Sequence, residues 1–263
     1  MDLKLKDQVV MVAAASKGMG YSTALACARE GAIVSMASRN REAIEAAAEK
    51  IRNETGATVK AYVFDAADGA SIKRWAEDTL SELGPVKGLL VNAGGPPTGQ
   101  FEKFSDDDWQ SAFELTLLSS IRMIRAVLPS MRKSGGGSIL AITSSSVKEP
   151  IDILLLSNVM RSGVTALIKS LSQELGPDGI RLNTLIPGKI DTDRLRGTNS
   201  MQAQKRGVSL EEHNAQMQAG IPAQRFGDPD EVGNACAFLL SDAASYITGV
   251  SLAVDGGLIK TVW

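Results

Sequence analysis

The sequence predicts an α/β fold, with a single doubly wound parallel sheet and helices on both of its faces. Short runs rich in β-branched residues alternate with helical patterns along the whole chain. The segments between these runs are short, and no shift in composition divides the chain into two parts. Because α/β folds of this length often form one unit, we expect residues 1–263 to form a single domain.

The elements follow one another in a regular order. The predicted strands are residues 9–12, 33–36, 59–64, 89–91, 138–143, 180–186 and 250–254. The predicted helices are residues 18–30, 42–54, 71–83, 109–132, 157–175 and 231–240. Ser105 and Asp108 resemble a capping box at the start of the long fourth helix. Strands that alternate with helices in this way pair in parallel.

Residues 189–222 break this rhythm, because they are polar and carry scattered charges. Ligands of a doubly wound sheet bind beyond the carboxyl ends of its strands, and this segment follows the sixth strand. We therefore interpret residues 189–222 as a mobile substrate lid, since long loops in compact domains are usually functional. The alternative is a solvated excursion from the domain.

The composition excludes several classes of function. The 28 Lys and Arg residues against 30 Asp and Glu residues give a net charge of −2, so nothing attracts nucleic acid or an anionic membrane. The longest apolar run, residues 9–15, is too short to cross a bilayer, and the N-terminus does not resemble a secretory signal. Cys27 and Cys236 are far apart and His213 is the only histidine, so we expect no metal site. Two unpaired cysteines indicate a reducing compartment, so we expect a cytoplasmic protein. His213 lies in a polar stretch, so we expect it to be a solvated surface residue.

The link between the first strand and the first helix is typical of a phosphate-binding loop. It consists of small residues and two glycines, which let the backbone approach a ligand closely. The free N–H groups and the positive dipole end of the helix then attract a phosphate. The candidate cofactor-binding residues in this link are Ser16, Lys17, Gly18, Met19 and Gly20.

The end of the second strand indicates which dinucleotide the loop binds. Enzymes that prefer NAD usually place an acid there for the ribose hydroxyls, whereas an arginine accommodates the 2′-phosphate of NADP. Here Ser38 stands in place of the acid and Arg39 follows it. Lys17 adds a second cation on the phosphate side. These residues favour NADP(H) over NAD(H).

Further short motifs occur in a fixed order along the chain. They are Gly18-Met19-Gly20, Asn92-Ala93-Gly94, Pro187-Gly188, Arg225-Phe226-Gly227 and Asp255-Gly256-Gly257. Through them nearly the whole chain resembles the short-chain dehydrogenase/reductase family, most closely its β-ketoacyl-acyl-carrier-protein-reductase-like branch. The resemblance implies a Rossmann-type fold, a small carbonyl or alcohol substrate such as a 3-oxoacyl compound, and a homo-oligomer, tetramer before dimer. The further cofactor-binding residues that it implies are Asp65, Ala66, Asn92, Ala93, Gly94, Pro187, Gly188, Ile190 and Thr192.

Four functional positions depart from the pattern of this family. Ala14 replaces a glycine of the phosphate loop, and Thr116 replaces an active-site asparagine. The family's Tyr-x-x-x-Lys motif is also missing: counted from Ser144, the counterpart of the catalytic serine, its two positions hold Ser157 and Arg161. None of the three tyrosines of the chain is followed by a lysine at that spacing, so the motif does not lie elsewhere.

Ser144, Ser157 and Arg161 are therefore the candidate catalytic residues. Ser144 can donate a hydrogen bond to a carbonyl oxygen and Arg161 keeps a positive charge, but a serine hydroxyl is far less acidic than a phenol. Arg161 borders an apolar helix face and needs a partner, either the cofactor or an internal ion pair. Two functions stay open: an NADP(H)-dependent oxidoreductase with a remodelled proton relay, or a non-catalytic dinucleotide-binding protein that acts as a sensor or assembly partner.

Overall fold

Seven strands form one parallel sheet in the computed structural model, which describes residues 2–262. In chain order the strands are β1 (Val9–Ala13), β2 (Ile33–Ser38), β3 (Val59–Val63), β4 (Val86–Val91), β5 (Gly137–Ile142), β6 (Ile180–Pro187) and β7 (Ser251–Val254). Across the sheet they are ordered β3-β2-β1-β4-β5-β6-β7, and every neighbouring pair is parallel. The predicted α/β fold is therefore confirmed.

Helices cover both faces of this sheet. They are α1 (Gly18–Arg29), α2 (Arg41–Thr55), α3 (Gly69–Glu82), α4 (Asp106–Ala112), α5 (Ser119–Lys133), α6 (Leu155–Glu174), α7 (Asp193–Arg206), α8 (Leu210–Ala219) and α9 (Pro229–Leu240). The predicted fourth helix begins earlier than expected, at Asp106, because Ser105 and Asp108 form the capping box. A π-helical segment, Phe113–Leu118, joins α4 to α5.

Each face of the sheet carries its own apolar layer, since successive strand residues point to opposite sides. Val10 and Val12 of β1 pack with residues of α1, α2 and α9. Val9 and Met11 of the same strand pack with residues of α3, α5 and α6. Because both faces are covered, the central strands are apolar at consecutive positions, which is typical of a buried parallel sheet.

Helices α1 and α9 approach each other closely on one face. A Cβ atom on Gly233 of α9 would lie 2.5 Å from the backbone oxygen of Ser22 in α1, so only glycine fits there. Cys27 and Cys236 are both buried in this layer as free thiols. Burial raises the pKa of the Cys236 thiol to about 12 and raises that of Cys27 as well. The position of α1 therefore depends on the C-terminal part of the chain.

Residues 189–222 form two helices, α7 and α8, rather than a long loop. The two helices pack against each other, and the side chain of His213 is only 2% exposed between them. The expectation of a solvated His213 is wrong. The polar residues around it belong to α8, and this helix buries the side chain of His213 against α7. Nη1 of Arg206 lies 3.1 Å from Nδ1 of His213, and since a guanidinium can only donate, Nδ1 is the acceptor.

None of the helices within residues 2–262 combines the length and the apolar composition needed to span a membrane.

Candidate active site

A cavity of about 650 Å³ opens where β1 and β4 end side by side. The chain leaves β1 toward β2 on one side and β4 toward β5 on the other, so the order of strands reverses at this point. Ligands of open α/β sheets bind at such a reversal. The predicted cofactor-binding residues that line the cavity are Ser16, Lys17, Gly18, Met19, Gly20, Asn92, Ala93, Gly94 and Thr192.

The loop between β1 and α1 has the geometry of a phosphate cradle. A Cβ atom on Gly20 would collide with the backbone oxygen of Ala14, so the loop can close only over a glycine. Lys17 is the N-cap residue of α1, and no side chain caps the free N–H groups of the first turn. Thr192 closes the opposite wall, with its methyl carbon 3.4 Å from the Cβ position of Gly18. Free amides beside a cavity of this kind suit the diphosphate of a dinucleotide.

Seven of the predicted cofactor residues lie outside the lining of this cavity, and four of these lie at the ends of β2 and β3. Ser38 is buried at the end of β2, where its hydroxyl donates to the backbone oxygen of Asn40 at 3.4 Å, and Arg39 is exposed beside it. Asp65 follows β3, and its carboxylate accepts a hydrogen bond from the N–H of Ala67. Ala66 is buried in the apolar layer that contains Met11. These residues occupy the strand ends next to the phosphate loop.

The residues after β6 serve mainly as support. The N–H of Gly188 donates to the backbone oxygen of Val254 at 3.0 Å. A Cβ atom on Gly188 would lie 2.6 Å from Cα of Asp255. Ile190 is buried and its backbone pairs with Gly227. Pro187 ends β6 itself. Together they direct the chain toward Thr192, which lines the cavity.

Ser157 and Arg161 lie one helical turn apart on α6, and both are buried. Ser157 is 6% exposed and Arg161 is 9% exposed. Nε of Arg161 donates to Oγ of Ser157 at 3.2 Å, while Nη1 donates to the backbone oxygens of Ile142 at 2.9 Å and Thr143 at 3.3 Å. The guanidinium is thus held at the carboxyl end of β5, next to the residue that precedes Ser144.

The partners of Arg161 are all neutral. No carboxylate within residues 2–262 forms an ion pair with it, so the alternative of an internal ion pair is wrong; main-chain oxygens and a hydroxyl take that place. Burial, with a smaller contribution from the charge of Arg194, lowers the pKa of the Arg161 guanidinium to about 10. The side chain therefore remains a cation at neutral pH.

Sequence reasoning missed Arg194, which belongs to the first turn of α7 and lines the cavity. Its guanidinium lies over Gly95, where a Cβ atom would force the guanidinium to move. The sequence feature that could have indicated Arg194 is its position two residues after Thr192, within the segment that we interpret as a lid.

Thr116 lies on the π-helical segment and is 4% exposed. Its Oγ1 has no hydrogen-bond partner, and it lines a void of about 10 Å³ together with Asn92 and Arg161. Ser144 stands beyond the end of β5, where its Oγ accepts the N–H of Ser146 at 3.1 Å. Within residues 2–262, no group of three or more His, Cys, Asp or Glu side chains is arranged to hold a metal ion.

Comparison with known proteins gives three principal findings. A family model described as enoyl-(acyl carrier protein) reductase matches residues 13–259. A 3-oxoacyl-[acyl-carrier-protein] reductase of Chlamydia trachomatis is 31% identical over 254 residues, which cover 97% of this chain and 98% of that protein. The crystal structure of L-sorbose reductase from Gluconobacter frateurii, complexed with NADPH and L-sorbose, covers all of both chains at 28% identity with a TM-score of 0.95.

A further structure is that of an NADPH-bound short-chain oxidoreductase from Pseudomonas aeruginosa PAO1 containing an atypical catalytic center. It is 28% identical, covers 98% of this chain and 99% of that one, and superposes with a TM-score of 0.90. The family model and these relatives extend over nearly the whole chain, as the ordered motifs predicted. The chain therefore belongs to the short-chain dehydrogenase/reductase family of oxidoreductases.

Proposed function

We propose that the protein is an NADP(H)-dependent oxidoreductase that interconverts a small carbonyl compound and its alcohol. In this proposal Ser144, Ser157 and Arg161 contact the reacting group. The observation that carries it is the buried hydrogen bond of 3.2 Å from Nε of Arg161 to Oγ of Ser157. A hydroxyl beside a buried cation stands at the two positions where the family places its phenol and ammonium.

The hydrogen bond determines what Ser157 can do. Because its oxygen accepts from Arg161, the proton of its hydroxyl stays free to be donated to a carbonyl oxygen. The positive charge stabilises the negative charge that develops on either oxygen as that proton moves. Serine is a weak acid, so this assistance is needed for Ser157 to act in place of a phenol.

Ser144 supplies a second donor. Its Oγ accepts the N–H of Ser146, which leaves its hydroxyl proton free as well. Arg161 also donates to the oxygen of Thr143, the residue before Ser144. In this proposal the same guanidinium holds the hydroxyl of Ser157 and, through the oxygen of Thr143, the main chain before Ser144.

The phosphate cradle supports a dinucleotide as the redox partner. The amides of the first turn of α1, with Lys17, would hold the diphosphate, and Thr192 and Asn92 would hold the remainder along the cavity. When bound in its reduced form, the dinucleotide supplies the hydride. The complexes of L-sorbose reductase and of the Pseudomonas oxidoreductase with NADPH support this assignment.

The catalytic assignment is tested by steady-state NADPH oxidation over a panel of carbonyl substrates. Ser157→Ala and Ser144→Ala should each lower kcat, by roughly 10²–10⁴-fold where the lost hydroxyl is the proton donor. Ser162→Ala is the matched control, because this exposed serine lies on the same helix and bonds only to the backbone of Asn158. Rates that remain native in both Ser144→Ala and Ser157→Ala would place the active site elsewhere.

The missing phenol and ammonium favour a second candidate, a non-catalytic dinucleotide-binding protein. Ser157→Tyr combined with Arg161→Lys restores the family's pair, and it should raise the rate more than either change alone because the two groups act together. If no substrate is turned over by any variant while NADPH binding is intact, the second candidate is supported instead.

Cofactor preference provides a separate prediction. Ser38 carries no charge that would repel a 2′-phosphate, and the exposed Arg39 can bind one. NADPH should therefore bind more tightly than NADH. Arg39→Ala should reduce the difference in binding free energy between the two cofactors by about 1–3 kcal/mol, the scale of a charge-assisted hydrogen bond. Fluorescence titration with each cofactor measures this difference. Lys73→Ala, an exposed cation on α3, is the control, and equal affinities in the native protein contradict the prediction.

Residues 189–222 serve as the substrate lid in this proposal. Thr192 and Arg194, at the start of α7, line the cavity, which supports this role.

A further inference from the structure

We infer that Arg161 and Arg194 form an anion subsite, and that the substrate carries a carboxylate which binds there beside its reacting carbonyl or alcohol. The inference rests on the proposed oxidoreductase function and adds the chemical class of its substrate. Four observations on the described residues support it.

The first observation is the unbalanced charge of Arg161. A guanidinium that is 9% exposed pairs only with a hydroxyl and two main-chain oxygens. Burying a cation without a counter-ion is costly, because neutral acceptors replace only part of its hydration. A ligand carboxylate beside Arg161 would supply the missing negative charge.

The second observation is that Arg194 differs from Lys17 and Arg196, two other cations that line the cavity. Lys17 pairs with Asp193 at 3.4 Å, and Arg196 pairs with Asp191 at 2.7 Å and with Asp193 at 2.9 Å. Among residues 2–262, the acids near the start of α7 are thus engaged, and Arg194 belongs to none of these ion pairs. Its guanidinium instead lies over the bare backbone of Gly95, inside the cavity.

The third observation is that the two arginines border neighbouring spaces. Arg194 lines the cavity, Arg161 lines the void of about 10 Å³, and Asn92 and Ala93 line both. The charge of Arg194 contributes to the lowered pKa of Arg161. An anion between them would relieve this repulsion and interact favourably with both guanidinium groups.

The fourth observation is the hydroxyl of Thr116. It is 4% exposed, has no hydrogen-bond partner and faces the same small void as Arg161. An unpaired buried hydroxyl is costly, and a polar ligand group nearby would satisfy it. A buried cation without a counter-ion and an unpaired buried hydroxyl therefore border the same void, and Arg194 lines the adjoining cavity.

The position of Arg161 favours a substrate carboxylate over a cofactor phosphate. The amides of the first turn of α1 and Lys17 already form a cradle for the diphosphate. Arg161, by contrast, is bonded directly to Ser157, the residue proposed to contact the reacting oxygen. The anion that it attracts thus lies close to the reacting carbon.

The experiment compares two probes that differ in one group. Oxamate carries a carboxylate next to an amide carbonyl, and oxamide carries a second neutral amide in its place. Their affinities are measured by calorimetry on the native protein, with and without saturating NADP⁺. We expect oxamate to bind roughly 10–100-fold more tightly than oxamide, the ratio for one hydrogen-bonded charge.

Arg194→Gln should remove most of this preference. The matched control is Lys205→Gln, which alters an exposed cation in the last turn of the same helix, outside the cavity lining. This control should keep the native preference. Circular dichroism of each variant verifies that the fold is intact, and the affinity of each variant for NADP⁺ is measured separately.

Three results would overturn the inference. One is equal binding of the two probes, or no binding of either, by the native protein. Another is an equal loss of preference in Arg194→Gln and Lys205→Gln. The third is a weaker affinity of Arg194→Gln for NADP⁺ with an unchanged preference for oxamate, which would assign Arg194 to a cofactor phosphate.

These results are separable from failure of the proposed function, because binding of the probes needs no turnover. If the protein prefers oxamate but reduces no carbonyl compound, the subsite is supported and the oxidoreductase function is contradicted. If the protein reduces neutral ketones and shows no preference for oxamate, the oxidoreductase function is supported and the subsite is contradicted.

Discussion

Ala14 holds the phosphate loop in a conformation that suits glycine. Its φ angle is +52°, in the left-handed region that L side chains rarely adopt. A side chain in this region costs about 1–2 kcal/mol, because its Cβ atom crowds the carbonyl oxygen that follows it. The same residue directs its backbone oxygen at Gly20, so the loop retains its close turn at the expense of local strain.

Ala14→Gly should therefore stabilise the protein. We expect the free energy of unfolding to rise by roughly 0.5–1 kcal/mol, since the relief of strain exceeds the entropic cost of a glycine. Ala15→Gly is the control: Ala15 is fully buried and is not among the residues with positive φ, so this change should destabilise. Urea unfolding measures both, and a lower stability of Ala14→Gly would show that the loop is unstrained.

At the scale of an element, the start of α9 is held by a cluster of charges. Asp228 and Glu231 form a capping box, and Arg225 donates to both carboxylate oxygens of Glu231 at 2.7 and 2.6 Å. Arg225, together with the N–H of Asp228, lowers the pKa of Glu231 from 4.5 to about 2. This cluster fixes Gly227, whose backbone pairs with Ile190 on the way to the cavity.

The charge cluster gives a prediction for pH dependence. Because the folded pKa of Glu231 is depressed, its contribution to stability is complete above the ordinary value of 4.5 and is lost as the pH falls toward 2. Arg225→Ala should raise the pKa of Glu231 back toward 4.5, as NMR titration of the carboxyl carbon would show. Arg132→Ala, which breaks the ion pair with Asp178 elsewhere, should leave it unchanged. A pKa of Glu231 that stays near 2 in Arg225→Ala contradicts this account.

At the scale of the whole molecule, the sheet ends in two different edges. β7 forms one edge and β3 forms the other. Beside β7, Tyr246 is fully exposed, and Leu252 in the strand is 37% exposed. Open strand edges with apolar side chains invite pairing with another chain. The sequences of α6 and of the unit of α9 and β7 also resemble segments that pair subunits in the family, so we expect subunit contacts there.

We predict a symmetric homo-oligomer, tetramer before dimer. Leu252→Asp should weaken the assembly, because it places a charge on the β7 edge. Val63→Asp is the matched control, since Val63 is 44% exposed on the opposite edge. Sedimentation that shows only a monomer of about 27.8 kDa at micromolar concentration would contradict the prediction.

The sequence was sufficient for the sheet and for the close turn between β1 and α1, because their signals are apolar periodicity and glycine spacing. It was insufficient for α7, whose buried residues are only Asn199 and Ala203 among the described residues, so the helix lacks an apolar stripe. The burial of His213 was missed for the same reason.

The partners of Arg161 were beyond sequence reasoning for a different reason. Every residue has a main-chain oxygen, so the oxygens of Ile142 and Thr143 leave no pattern in the sequence. Arg194 could have been noticed by its position after Thr192. That it lies over Gly95 follows only from the path of α7 across the sheet edge.

The contact between Gly233 and Ser22 has a consequence for biosynthesis. A nascent chain that has left the ribosome only as far as β6 already contains the phosphate loop and all of α1. The apolar side of α1, including Leu25 and Cys27, nevertheless stays uncovered until Val232 and Cys236 of α9 have been synthesised and pack against it. The first part of the binding cavity to be translated is thus among the last to be fixed in place, and a chain terminated before α9 would expose this surface to chaperones.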